Sequence, residues 1–162
     1  YNLKKGNLIL DIGSNDGTFL KYFNKGFQLY ACDPTIKKFK KFYRKDIKTT
    51  ADFFSADKFD NLKFDLITSI AMFYDLPDPL KFARDIRGLL ANDGVWHVEM
   101  SYMPSMLNSR SYDTICHEHL EYYSIRSPGG KFYFYPRVTR CRPGVCRCSF
   151  APVHLQGVLK HQ

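Results

Sequence analysis

Two short stretches of this chain hold residues that could do chemistry. The first is Asp11-Ile12-Gly13-Ser14-Asn15-Asp16-Gly17, directly after the apolar run Leu8-Ile9-Leu10. Glycine reaches φ > 0 and lets backbone approach a ligand closely. Gly13 and Gly17 therefore mark a tight turn, with the small polar Ser14 and Asn15 inside it. A nucleotide-like ligand would lie over this strand end. Asp11 puts an acid where a cationic group could sit. Asp33, twenty positions after Gly13, is placed to accept hydrogen bonds from the ribose hydroxyls of an adenosine. Asp52 and Phe53 offer an edge and a face for an adenine ring. Ser69 opens the next loop, where Phe73 and Tyr74 could pack on a cationic centre. The second stretch is His117-Glu118-His119. If extended, its two histidines share one face and Glu118 takes the other. Three readings stay open: two ligands of a metal that still needs a third, histidines bonded to backbone, or general base chemistry near neutral pH.

The elements that must position these residues are legible from periodicity. Leu8, Ile9, Leu10 and Ile12 are too uniformly apolar for a half-exposed strand and suit the centre of a parallel sheet. A helix is expected from Asp16 or Thr18 to about Gly26, with Phe19, Leu20 and Phe23 inward. Strands follow at 27–32 and 48–51, with a basic helix over 35–48 between them whose lysines form a solvated face. Residues 64–70 read as another strand. Asp78-Pro79 opens a helix carrying Leu80, Ala83, Ile86, Leu89 and Leu90. Asn92-Asp93-Gly94 reads as a turn before a strand over 95–100, and residues 103–109 as a short helix. The order β-α-β-α-β-β-α-β predicts an α/β fold with a doubly wound, mostly parallel, Rossmann-like sheet.

Composition narrows the class. The chain has 162 residues and a net charge of +8. Residues 1–124 hold 17 Lys+Arg against 16 Asp+Glu, whereas residues 125–162 hold 7 Lys+Arg and no acid. The body is electrostatically ordinary, and no nucleic-acid-binding pattern accompanies the basic tail. No apolar run approaches the ~20 residues of a membrane helix, and no secretory signal is visible. A cytoplasmic protein with no nucleic-acid or membrane partner is expected. The chain starts at Tyr1, which predicts an excised or partial domain. Cys32, in an apolar strand, reads as a small buried hydrophobe.

Acid-x-Gly-x-x-x-Gly is not the dinucleotide fingerprint, because Asn15 stands where the second glycine would be. It resembles the pattern of class I methyltransferases, whose cofactor S-adenosylmethionine carries a sulfonium. The longer run Tyr112-Asp113-Thr114-Ile115-Cys116-His117-Glu118-His119-Leu120-Glu121-Tyr122-Tyr123-Ser124 narrows this further. With Leu76-Pro77-Asp78-Pro79 and Glu99-Met100-Ser101-Tyr102, the chain resembles the sugar C-methyltransferases over about residues 7–124. The resemblance implies methylation of the carbon beside a keto group in a nucleotide-linked deoxysugar. It assigns the base to His119, assisted by Glu118 with His117 adjacent; no metal is expected, because the body of the chain does not plainly offer a third ligand. A family tyrosine often precedes the triplet, and Cys116 stands there instead.

Two departures accompany the resemblance. The family's N-terminal zinc-binding domain has no counterpart here, and residues 125–162 do not match the family's continuation. Residues 1–124 are expected to form the cofactor-binding core, incomplete at its C-terminal end, with 125–162 an irregular basic tail, foreign or frame-shifted in character. That tail lacks the apolar periodicity that offsets ordering entropy. Two other functions stay in view: a nicotinamide-dependent oxidoreductase, and a non-catalytic cofactor-binding fragment.

Overall fold

The computed structural model describes residues 2–111 and 115–123. Tyr1, Tyr112, Asp113, Thr114 and residues 124–162, the irregular basic tail among them, lie outside the described residues. The described chain divides into two units, one of residues 2–70 and 80–97, the other of residues 71–79, 98–111 and 115–123.

The first unit is built on strands β1 (Leu8–Ile12), β2 (Gln28–Cys32), β3 (Ile47–Thr50), β4 (Phe64–Ile70) and β5 (Leu90–Glu99), in the sheet order β3-β2-β1-β4-β5. Pairings β1–β2, β1–β4 and β2–β3 are all parallel. The order reverses beside β1, which is the doubly wound arrangement expected from the sequence. Ile9, Leu10, Leu29, Ala31, Leu66 and Ile67 are essentially inaccessible to solvent, as strands covered on both faces require.

The helices are shorter than periodicity suggests, and tertiary contacts explain why. Helix α1 (Thr18–Lys21) covers four residues, where the sequence predicts about ten. The Arg44 guanidinium donates to the carbonyls of Lys21 (3.3 Å) and Phe23 (2.5 Å) and is braced by Asp46 at 2.7 Å. Those bonds satisfy carbonyls that a longer helix would have used itself. Helix α2 (Ile36–Phe39) gives way to a tight turn at Lys40–Phe42, so the expected helix over 35–48 is broken. Tyr43 is extended there, and its hydroxyl is committed to the glycine loop. On one side of the sheet Leu20, Ile36 and Tyr43 pack with Ile9, Leu29, Ala31, Ile47 and Leu66.

Helix α3 (Pro79–Leu89) forms where expected, but its inward residues are Phe82, Ile86 and Leu89, while Leu80 is 52% exposed. Phe82 joins a row of rings from Phe54 (5.0 Å) to Trp96 (6.0 Å). The turn expected at Asn92-Asp93-Gly94 is absent, and β5 runs unbroken from Leu90. Gly94 serves close approach instead: a Cβ there would stand 2.6 Å from the Phe64 carbonyl oxygen.

The second unit holds the tight turn Phe73–Asp75 and helix α4 (Met103–Ser109), which matches its expected bounds. Met106 and Phe73 are fully buried, and Tyr123 nearly so. Tyr102 pairs with Tyr123, and the Met103 N–H donates to the Tyr123 carbonyl at 2.9 Å.

Candidate active site

Strand register aligns the chemistry of the first unit. Ile12 lies opposite Cys32 on one side and Ser69 on the other, and Cys32 lies opposite Thr50. The next residues along each chain, Gly13, Asp33 and the Ala51-Asp52 pair, therefore leave the sheet at one C-terminal edge. That edge is where ligands bind open α/β sheets.

The glycine loop is clasped from below. Gly13 (φ 76°), Asn15 (φ 47°) and Gly17 (φ 73°) are all left-handed. The Gly13 N–H donates to the Cys32 carbonyl at 2.9 Å and the Gly17 N–H to the Ser14 carbonyl at 2.8 Å. The Tyr43 hydroxyl donates to the Asn15 carbonyl at 2.8 Å. It has one proton, so the 2.8 Å contact with the Ser14 hydroxyl is donated by Ser14. Gly17 was expected to make room for a ligand. Its lack of a Cβ makes room for the Tyr43 ring instead, which would lie 2.6 Å from one.

Asp33 is nearly buried and does several jobs at once. Its Oδ2 accepts the Asn15 N–H at 3.0 Å. Its Oδ1 accepts the Thr35 N–H at 2.7 Å and the Thr35 hydroxyl at 2.5 Å. A carboxylate offers about four lone-pair sites, so about one acceptor position is left for a ligand, against the two that both ribose hydroxyls would use. Asp11 is buried beneath the loop, and its Oδ1 accepts the Thr68 hydroxyl at 2.6 Å. Burial pushes the Asp11 carboxyl up to about 7, Thr68 opposes that rise, and the Asp33 charge adds to it.

The remaining cofactor candidates divide. Asp52 is exposed, 2.6 Å from Lys58, and held below the usual carboxylate range by Lys58 and the Phe53 N–H. Phe53 is 74% exposed, an aromatic face open to stacking. Phe54 instead stacks on Phe59 at 6.1 Å. Ser69 is fully buried, and its hydroxyl accepts the Trp96 indole N–H at 3.1 Å. Cys32 is buried as expected, its thiol pushed up to about 12 by burial and donating to the Asp52 carbonyl at 3.4 Å. At the start of α1, Asp16 accepts the Thr18 N–H at 3.0 Å and its hydroxyl at 2.8 Å.

The second unit carries the histidine triplet. The chain turns at His117-Glu118, so the shared face expected of an extended segment is lost. The His117 and Glu118 side chains are 92% and 75% exposed and 4.0 Å from each other. His119 is half-buried, and its ring lies 4.1 Å from that of Tyr74, centroid to centroid, tilted by 44°. Its Nδ1 is buried with no hydrogen-bond partner among the described residues. The Tyr74 carbonyl accepts N–H groups from Leu120 (2.9 Å) and Glu121 (3.2 Å), so the segment after His119 is tied to the loop beyond β4. Partial desolvation raises the Asp75 carboxyl, His119 draws it down and Glu118 raises it. Phe73 packs on Tyr123 at 5.2 Å, and the Tyr123 hydroxyl donates to Glu121 at 2.7 Å. No group of three His, Cys, Asp or Glu able to hold a metal occurs among the described residues.

Sequence reasoning missed Tyr43 and underrated Tyr74. Tyr43 falls inside the helix expected over 35–48, and its contacts with Ser14 and Asn15 come only from the break in that helix. Tyr74 was placed with Phe73 as one aromatic pair, but the structure separates them, burying Phe73 and setting Tyr74 against His119.

A family model described as a methyltransferase domain matches residues 1–128. The C-methyltransferase NovU of Streptomyces niveus is 28% identical over 131 residues, covering 77% of this chain and 31% of that protein. The chain thus spans about a third of that relative's length. The plantazolicin methyltransferase BpumL, solved with a triazolic desmethylPZN analog and SAH, matches with a TM-score of 0.56 at 20% identity. That match covers 72% of this chain and 46% of the other. LepI, solved in complex with SAM, matches with a TM-score of 0.51 at 14% identity, covering 63% and 29%. These structural likenesses establish the fold.

Proposed function

From the membership of this chain in the methyltransferase domain family, we propose that it takes part in S-adenosylmethionine-dependent C-methylation of a nucleotide-linked keto-deoxysugar. The observation that carries the cofactor is the coupling of Asp33 to the glycine loop, its carboxylate bonded to the Asn15 N–H with an acceptor position to spare. A C-methyltransferase among the relatives supports carbon as the methyl acceptor.

When bound, S-adenosylmethionine supplies an electrophilic methyl group on a sulfonium. Asp33 accepts a ribose hydroxyl, Phe53 offers its face to the adenine, and Asp11 lies beneath the loop as a counter-charge. The backbone of Gly13, Ser14 and Asn15 forms the turn under the ligand. His119 is the general base, and its Nε2 takes the proton from the carbon beside the ketone. Glu118 and His117, exposed next to it, are placed to meet the polar sugar.

A nicotinamide dinucleotide fits this loop poorly. Its pyrophosphate needs the N–H groups at a helix start, and here the Asp16 carboxylate already takes the Thr18 N–H. Helix α1 is also only four residues long, too short for a strong dipole.

Labelled S-adenosylmethionine and NAD titrated separately test the cofactor, and binding of NAD alone overturns it. A thymidine-diphosphate-linked 4-keto-6-deoxyhexose tests the substrate class. Substituting the base, His119→Asn, should lower methyl transfer about 10²–10⁴-fold, the usual contribution of a positioned general base. S-adenosylmethionine affinity should stay within about twofold of the unmodified protein if removing the imidazole affects proton transfer alone. Equal loss of both would make His119 structural.

A further inference from the structure

We propose that Tyr74 is a second catalytic residue, its hydroxyl donating a hydrogen bond to the ketone oxygen while His119 removes the neighbouring proton. This rests on the reading of His119 as the base. A ketone oxygen and the proton on its adjacent carbon are only a few bonds apart. Their donor and acceptor must therefore stand side by side, and two rings 4.1 Å apart meet that need.

The pair is held by backbone as well as by ring contact. Leu120 and Glu121 both donate to the Tyr74 carbonyl, so the residues following the base cannot shift without pulling on Tyr74. The Tyr74 hydroxyl has no hydrogen-bond partner among the described residues. Competing phenols in this unit are worse placed. Tyr123 spends its hydroxyl on Glu121, and the Tyr122 ring is 6.4 Å from that of His119. Tyr112, within the run that carries the resemblance, lies outside the described residues.

The surroundings keep the phenol a donor. Desolvation and the neighbouring Asp75, Cys116 and Glu99 raise its pKa above the ordinary phenol value, so the hydroxyl keeps its proton and can donate. In the step itself the proton passes from carbon to His119 Nε2. The C–H electron pair becomes the new carbon–carbon π bond, and the carbonyl π pair moves to oxygen. Tyr74 keeps its proton and stabilises that oxygen, whose charge is larger in the transition state than in the ketone. The carbon then bonds to the methyl group of the sulfonium, the sulfur–methyl bond breaks, and a thioether and the ketone remain. The proton on His119 returns to solvent.

The test is proton exchange in deuterated water with the same thymidine-diphosphate-linked keto-sugar, followed by NMR without methyl donor. It is run on the unmodified protein, Tyr74→Phe and His119→Asn. Tyr74→Phe keeps the ring against His119 and should slow exchange by roughly 10²–10³-fold, as loss of one oxyanion donor does. The loss should fall on kcat of methyl transfer with KM little changed, a split that a merely structural ring would not produce. Exchange at the unmodified rate in Tyr74→Phe, with His119→Asn inactive, overturns the proposal and spares the base. Normal exchange in His119→Asn removes the base, and with it the premise. No exchange in the unmodified protein counts against both.

Discussion

At the scale of single residues, Asp33 stands out because the carboxylate proposed to hold the cofactor ribose also bonds two separate stretches of backbone. Its Oδ1 caps the turn into α2 through Thr35, and its Oδ2 holds the glycine loop through Asn15. Removing it should do two separable things. Asp33→Ala leaves the Asn15 and Thr35 donors without their acceptor, which lowers stability. It also removes the charged acceptor for a ribose hydroxyl, worth ~1.5–3 kcal/mol, or about tenfold to a hundredfold in affinity. Calorimetry with S-adenosylmethionine measures the second effect directly, at a temperature where both proteins are folded. Unchanged affinity in Asp33→Ala would confine Asp33 to a structural role. Asp52 gives a contrast. It is exposed and already paired with Lys58, so Asp52→Ala should change affinity by less than about threefold, in line with the small worth of exposed pairs. The same titration checks that limit.

At the scale of elements, the strand ends were legible and the helix lengths were not. β1 and β4 match their expected bounds, and β2 and β3 start within a residue of theirs, because buried parallel strands write themselves as uninterrupted apolar runs. α1 and α2 fell short because Arg44, bonding the carbonyls at the end of α1, and Tyr43, clasping the glycine loop, outweighed helix propensity from positions distant in sequence. Nothing in the spacing of Arg44 or Tyr43 announces that reach. The candidate residues show the same division: in the first unit Gly13, Asn15 and Asp33 meet as the strand order implied, while in the second unit the turn at His117-Glu118 and the Tyr74–His119 contact depend on packing between residues distant in sequence. Gly17 tests how much the clasp matters. An alanine there carries two penalties, left-handed backbone at about 1–2 kcal/mol and a Cβ 2.6 Å from the Tyr43 ring. Gly6 supplies the control, since it too has positive φ, at 94°, but nothing within 4 Å of the added carbon. Gly17→Ala should lower the thermal midpoint by roughly 3–8 °C, clearly more than Gly6→Ala. Equal shifts would mean that the Tyr43 ring yields freely and clasps nothing.

At the scale of the whole molecule, charge and burial combine at Asp11 to make stability and ligand binding depend on pH. In the folded protein its carboxyl is pushed up to about 7 by burial, from an ordinary value of 3.8. The folded state therefore holds a proton that the unfolded chain has released, and stability falls as pH rises between about 4 and 7. Each tenfold difference in proton affinity is worth about 1.4 kcal/mol, so this group alone removes roughly 4 kcal/mol across that window. The surface carboxylates act elsewhere. Asp16, Asp46 and Asp52 are held below their ordinary range by Thr18, Arg44 and Lys58, so their contribution is present above about pH 4 and lost as pH falls below it. Asp11→Asn keeps an acceptor for the Thr68 hydroxyl and removes the titration. Urea midpoints measured at pH 5 and pH 8 should fall for the unmodified protein and change much less for Asp11→Asn, which becomes the more stable of the two at pH 8. The same residue predicts how a cation binds. A sulfonium over the loop favours the ionised Asp11, so S-adenosylmethionine should release protons on binding near pH 6, whereas the uncharged thioether S-adenosylhomocysteine should release far fewer. Calorimetry in two buffers of different ionisation enthalpy reads that difference. Equal proton release by both ligands would place Asp11 beyond the reach of the sulfonium and leave it a buried acid of the sheet alone.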